Sequence, residues 1–100
     1  MKTPFTTLID IGYPIIMAPM FLVSNTDMIK AALDSGITGA IPALNYRTDQ
    51  QLRDAIDEIR NYSDKPFGIN IIVNKSNVRL QRQLEICIEK KVDFIITSLG

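Results

Sequence analysis

Residues 65–73 read Lys65-Pro66-Phe67-Gly68-Ile69-Asn70-Ile71-Ile72-Val73, and what flanks this stretch decides the fold. Ser63-Asp64-Lys65-Pro66 breaks the preceding helix, because proline offers no N–H and its ring crowds the turn before it. Phe67 to Val73 then reads as a strand, apolar except for the single amide of Asn70. Upstream, Thr48-Asp49-Gln50-Gln51 forms a capping box, and Leu52, Ala55, Ile56 and Ile59 follow at offsets of three, four and seven, the stripe of a helix lying on a sheet. Downstream, Asn74 or Ser76 can cap a further helix that buries Leu80, Leu84, Cys87 and Ile88, and Asp93 to Thr97 forms a last strand.

The same unit recurs toward the N-terminus. Gly12-Tyr13-Pro14 is turn chemistry, and Ile15-Ile16-Met17-Ala18 is a continuous apolar run that reads as a doubly buried strand halted by Pro19. A helix over residues 26–35 follows: Ser24, Asn25 or Thr26 caps it, Asp27 suits its first turn, and Met28, Ile29, Ala32 and Leu33 make its apolar face. Gly36 stops it. Thr38 to Ile41 is then a strand ended by Pro42. The order βαβαβαβ calls for right-handed crossovers and a parallel sheet. Both an open doubly wound sheet and a closed (β/α)8 barrel accept that order.

Composition narrows the function. With 46% apolar residues in 100, the chain can bury a core. Eleven basic residues balance eleven acidic ones without a Lys/Arg block, so the footprint of a nucleic-acid or anionic-membrane binder is missing and a small-molecule protein is expected. Cys87 is the single cysteine and histidine is absent, which excludes an internal disulfide framework, a conventional zinc cluster and a His-based triad; no metal ligand and no catalytic residue is assigned. The usage suits a reducing cytoplasm. No signal-peptide pattern opens the chain, and Asp10, Pro14 and Pro19 interrupt every early apolar run well before the roughly 18–20 residues of a membrane span.

In either architecture ligands bind where parallel strands end, which points to Ala18-Pro19-Met20-Phe21, Pro42 to Asn45, Ile69 to Asn74, and Thr97-Ser98-Leu99-Gly100. These segments offer amides, hydroxyls, proline and sulfur but no carboxylate or histidine, so they suit contact with a cofactor better than acid–base work. The first strand is not followed by Gly-x-Gly-x-x-Gly, and no phosphate loop of the Gly-x-x-x-x-Gly-Lys-Ser/Thr type occurs, which sets dinucleotide and P-loop readings aside.

Pro14-Ile15-Ile16-Met17-Ala18-Pro19-Met20 resembles the first-strand signature of the nitronate monooxygenase family and of the related flavin-dependent enoyl-acyl-carrier-protein reductases; Lys65-Pro66-Phe67-Gly68-Ile69-Asn70 resembles their third-strand signature. The likeness extends through Gly36, Gly39-Ala40-Ile41 and Ile95 to Gly100. It implies the first four β-strands and three α-helices of a (β/α)8 TIM barrel, the N-terminal half of a single FMN-binding domain over residues 1–100. It implies FMN as cofactor, with the backbone around Ala18, Pro19 and Met20 against the flavin ring and the Asn70 side chain hydrogen-bonded to it. It further implies oxidation of an alkyl nitronate by O2 to a carbonyl compound and nitrite, or, as the alternative, enoyl reduction with reduced nicotinamide. The family's catalytic histidine and glycine-rich phosphate loops belong to later repeats, so the 100 residues alone are expected to be inactive. Phe21-Leu22 stand where many relatives have small residues, which could reshape the substrate side. Lys90-Lys91 replaces a common glycine before the fourth strand and reads as a surface change.

Plainer roles stand beside these. Met17 reads as core filler, and Met20 as filler or flavin contact. Pro19 and Pro42 can simply end strands, Asn45, Tyr46 and Arg47 can simply make a turn, and Asn70 can bridge strand ends instead of meeting a ligand. Cys87, on an apolar stripe, reads as a buried inert thiol, and Thr97 and Ser98 are at best pocket-lining. The sequons at Asn61 and Asn74 are discounted. Barrels of this type need about 250 residues, so four strands would leave strands one and four as open edges, inviting aggregation or pairing into a homodimer. A piece of a longer enzyme is one expectation; a half-barrel module that dimerises without chemistry of its own is the other.

Overall fold

A computed structural model describes residues 16–17 and 25–99. The elements run β1 (Ile16–Met17), α1 (Thr26–Asp34), β2 (Thr38–Pro42), a 3-10 turn (Ala43–Asn45), α2 (Asp49–Tyr62), β3 (Gly68–Ile72), α3 (Leu80–Glu89) and β4 (Phe94–Ser98). The strands form one parallel sheet in the order β1-β2-β3-β4, with Pro42, Asn70 and Ile96 in register across its middle. Sequential parallel neighbours with a helix in each crossover are what a (β/α)8 barrel requires of its first repeats. This is the first four strands and three helices of such a barrel.

Local chemistry starts α1 and α2 as the sequence suggests, and Gly36 stops α1. Asn25 caps α1, its Oδ1 accepting from the Met28 N–H at 2.9 Å. Thr48 caps α2 in a reciprocal box: its hydroxyl accepts from the Gln51 N–H at 3.1 Å, while the Gln51 Oε1 accepts from the Thr48 N–H at 3.3 Å. Gly36 closes α1 with φ 81, a left-handed turn that returns the Ile37 N–H to the Ala32 carbonyl. Lys91 does the same after α3 at φ 54, returning the Val92 N–H to the Cys87 carbonyl. The lysine at this position is therefore more than a surface change, because a Cβ is disfavoured in that conformation.

The core lies between sheet and helices. Phe67, Ile69 and Ile71 of the third repeat, together with Ile41, pack against Ile29 and Leu33 of α1, Leu52, Ile56 and Ile59 of α2, and Ile86 and Cys87 of α3. Alternation turns Gly68, Asn70 and Ile72 to the other face, the inside of the barrel. Phe94 lies there too, its ring so close to Gly68 that a Cβ on that glycine would sit 2.3 Å from it. Met17 packs on the core as expected, but Ile16 at the sheet edge stays 36% exposed, so the described part of β1 is not doubly buried.

The third helix departs from its expected register. Ile88 is 75% exposed, and Gln83 is buried in its place. The polar burial works because Asn77, just before the helix, donates to the Gln83 Oε1 at 2.9 Å and to the Ile72 carbonyl at 2.7 Å. Neither Asn74 nor Ser76 caps it; Arg79 is the cap residue and makes no capping bond through its side chain. Cys87 is buried as expected, and that burial pushes its thiol up to about 11, which suppresses the thiolate.

Two substitutions test these packing claims by chemical denaturation. Gly68→Ala should lose about 1–3 kcal/mol, the usual cost of overpacking, and lose less in combination with Phe94→Ala. Lys91→Gly should gain roughly 0.5–1 kcal/mol by removing the left-handed penalty; no gain would mean that the lysine makes a compensating interaction.

Candidate functional site

The carboxyl ends of β2, β3 and β4 face one side, and the loops leaving them are tied down by polar contacts. Asp49, in the first turn of α2, accepts from Arg79 at 2.8 Å and from Arg82 at 2.6 Å, and Arg79 also donates to the Tyr46 carbonyl at 2.6 Å. The loop after β2 and the loop after β3 are thus clamped by one carboxylate and two guanidinium groups. Hydrogen bonds from Arg79 first, and from Arg82, hold the Asp49 carboxyl below its ordinary range. Tyr46 shifts the other way, its phenol pushed up by burial. Asn74 donates to the Leu99 carbonyl, joining the ends of β3 and β4.

Between these loops lies a cleft of about 420 Å³ with Leu44, Ile72, Asn74 and Val78 in its walls. A second groove, of about 500 Å³, runs between the start of α1 and the first turns of α2, walled by Asp54 and Glu58. Asn45 and Tyr46 of the loop after β2 line it too, so both openings lie toward the carboxyl ends of the strands, the smaller one between the loops after β2 and β3 and this one between α1 and α2.

Asn70 occupies the inner face of β3 in the row Pro42–Asn70–Ile96. Its Nδ2 donates to the Ile96 carbonyl at 3.0 Å and to the Ser98 hydroxyl at 3.2 Å. The bridging role and the ligand role foreseen for this amide are compatible, because Oδ1 receives no hydrogen bond from any described residue and remains an acceptor on the inner face. Ser98 is brought to Asn70. Thr97, one residue away, points to the opposite face and is not. Pro42 ends β2 and shares the inner-face row. Ala18, Pro19, Met20 and the Phe21-Leu22 pair lie outside the described residues.

Among the described residues no group of three or more His, Cys, Asp or Glu could hold a metal ion, and no helix is long and apolar enough to cross a membrane. Among the described residues the polar atoms along the inner row at the strand ends are amides, hydroxyls and carbonyls; Asp49 is neutralised by two arginines, and Glu58, in the groove between α1 and α2, pairs with Lys30 at 2.8 Å. Such a surface recognises a polar ring or chain without supplying a proton acid or base.

The nitronate monooxygenase family model matches residues 2–97. The chain belongs to that family. A probable nitronate monooxygenase of Staphylococcus aureus strain JH9 is 33% identical over 84 residues, covering 84% of this chain and 23% of the relative; the protein of strain Newman gives the same figures. The structure of FabK from Thermotoga maritima superposes with a TM-score of 0.88 at 32% identity, covering 100% of this chain and 31% of that one. A point mutant of the same FabK gives 0.87. The chain therefore spans about a quarter to a third of the family members it matches.

The arginine clamp was not legible in the sequence. Asp49 was read only as part of a capping box, and no local pattern pairs it with a residue thirty positions later. Its carboxyl is held below the ordinary range, so its contribution to stability is present above about pH 4 and is lost as pH falls through the lowered value. Asp49→Asn should melt below the wild type at pH 7, and the gap between the two should narrow as the pH is taken below about 4 in thermal melts. A gap independent of pH would show that the clamp is not electrostatic.

Proposed function

We propose that the chain forms one side of the FMN site of an oxidoreductase that oxidises an alkyl nitronate with O2 to a carbonyl compound and nitrite, working in the cytoplasm. The observation that carries the reading is the Asn70 amide, the polar side chain of an otherwise apolar β3, tied to β4 through its nitrogen while its oxygen faces the inside of the barrel. The donor set fits a flavin: acceptors and hydroxyls on an apolar wall, without a competing free carboxylate. Asn70 would hold the cofactor by hydrogen bonding, and Ala18, Pro19 and Met20 would lie against its ring. FMN supplies the electron transfer when bound, and the protein supplies binding, orientation and a shaped environment. Residues 1–100 would then be the N-terminal half of one barrel domain.

The second reading, a flavin-dependent enoyl-acyl-carrier-protein reductase, draws support from the likeness to FabK over the whole chain at 32% identity. Both readings use the same Asn70 and the same cofactor. They part at the oxidant: nitrite release from an alkyl nitronate under O2 favours the first, and oxidation of reduced nicotinamide with an enoyl thioester favours the second.

Incubation with FMN followed by desalting and an absorbance spectrum tests the binding. Retained yellow flavin supports the proposal, and a colourless eluate counts against these residues holding FMN by themselves. Asn70→Ala should weaken retention about five-fold, the worth of one neutral hydrogen bond of about 1 kcal/mol. Unchanged affinity in that variant would remove Asn70 from the site.

A further inference from the structure

We propose that Ser98 is a positioning residue that takes up the second N–H of the Asn70 amide, which the Ile96 carbonyl orients, so that β3 presents an acceptor alone and selects a hydrogen-bond donor on its ligand. The inference rests on the reading that Asn70 meets the flavin, and it adds which atom of the amide does so and what holds it there.

An amide side chain carries two donor hydrogens on nitrogen and an acceptor oxygen, and swapping the two ends reverses what it recognises. For Asn70 the orientation is set by chemistry. The Ile96 carbonyl oxygen, 3.0 Å away, can only accept, so the atom facing it must be the nitrogen. One amide hydrogen is spent there. The second is spent on the Ser98 hydroxyl at 3.2 Å. A serine can accept and donate at once, so taking this hydrogen leaves its own O–H available elsewhere.

Ile96 alone would orient the amide but leave one N–H free to serve an incoming carbonyl or phosphate oxygen. With Ser98 in place both hydrogens are committed to β4, and Oδ1 is the polar atom left for a ligand. The group opposite Asn70 must therefore donate. In a flavin that means a ring N–H or a ribityl hydroxyl; the ring carbonyl oxygens and the phosphate are excluded from this contact. The β3–β4 register makes the arrangement rigid, because Ser98 pairs with Ile72, two residues beyond Asn70 on the same face.

The test uses the 15N-labelled chain and its Ser98→Ala and Ser98→Thr variants. The Asn70 side-chain amide signals are identified by their loss in Asn70→Ala. In the wild type both amide hydrogens should be protected from solvent exchange. In Ser98→Ala one should lose protection at least several-fold while backbone amides of β3 keep theirs, and Ser98→Thr, which retains the hydroxyl, should restore it. FMN titration of the same proteins should show about five-fold weaker binding in Ser98→Ala, recovered in Ser98→Thr. Exchange of either hydrogen at the free-amide rate in the wild type overturns the proposal whether or not the variants fold. So does equal protection and equal FMN affinity in Ser98→Ala. Ser98-dependent protection in a chain that takes up no FMN would uphold the fixed amide and count instead against these residues holding flavin by themselves.

Discussion

A strand covered on both faces by protein must satisfy its polar groups inside the sheet, and β3 is the strand on which that constraint falls hardest. It pairs with β2 on one side and β4 on the other along most of its length. Its outward residues, Ile69 and Ile71, with Phe67 just before the strand, are fully buried under all three helices, and its inward ones must leave room for β4 or carry function. Gly68 does the first by admitting the Phe94 ring, and the second is the role proposed for Asn70, which is tied to β4 through the Ile96 carbonyl.

The stretch that opens β3 divides its work between the two ends of the barrel. At the amino end, Lys65 donates to the Leu33 carbonyl at 3.1 Å, covering the end of α1, and the Pro66 carbonyl accepts from the buried Thr38 hydroxyl at 2.7 Å. The Phe67 N–H is taken by Asp93, which also pairs with Arg60, and the Arg60 guanidinium stacks over the Phe67 ring at 4.7 Å. These contacts knit α1, β2, α2 and β4 to the base of β3. Only from Gly68 onward does the motif turn toward the carboxyl side, where the proposed ligand would sit. The division follows the general layout of such barrels, with stability at the amino face and chemistry at the carboxyl face.

What the sequence made legible was local. The capping box, the Gly36 stop and the apolar stripe of α2 all depend on residues within a turn or two of each other, and each is found where it was expected. What it concealed was long-range. Gln83 could not be foreseen inside because its partner, Asn77, has to be placed by the loop after β3, and the apolar Ile88 is displaced outward by the same rotation of α3. Lys91 hides a left-handed turn in which a lysine gives no warning. Ser98 was read as pocket-lining at best because its value comes from cross-strand register, which periodicity does not contain. The contacts foreseen for Ala18, Pro19 and Met20 lie beyond the described residues and stay on the resemblance that suggested them.

Burial falls from the middle of the sheet to its far side. Every residue of β2 is buried, whereas β4 alternates between partial burial and exposure, with Ile95 37% exposed on the face that the helices cover elsewhere. In a (β/α)8 barrel that face meets the helix following β4, and its free edge pairs with the next strand. The Asn70–Ser98 contact joins the mostly buried β3 to the less covered β4. Whatever covers β4 also steadies Ser98, and through it the direction in which Asn70 presents its oxygen. Under the proposal made for Ser98, pairing of that free edge would hold the acceptor still at Asn70, while Ile95, on the opposite face of β4, is left to the covering helix.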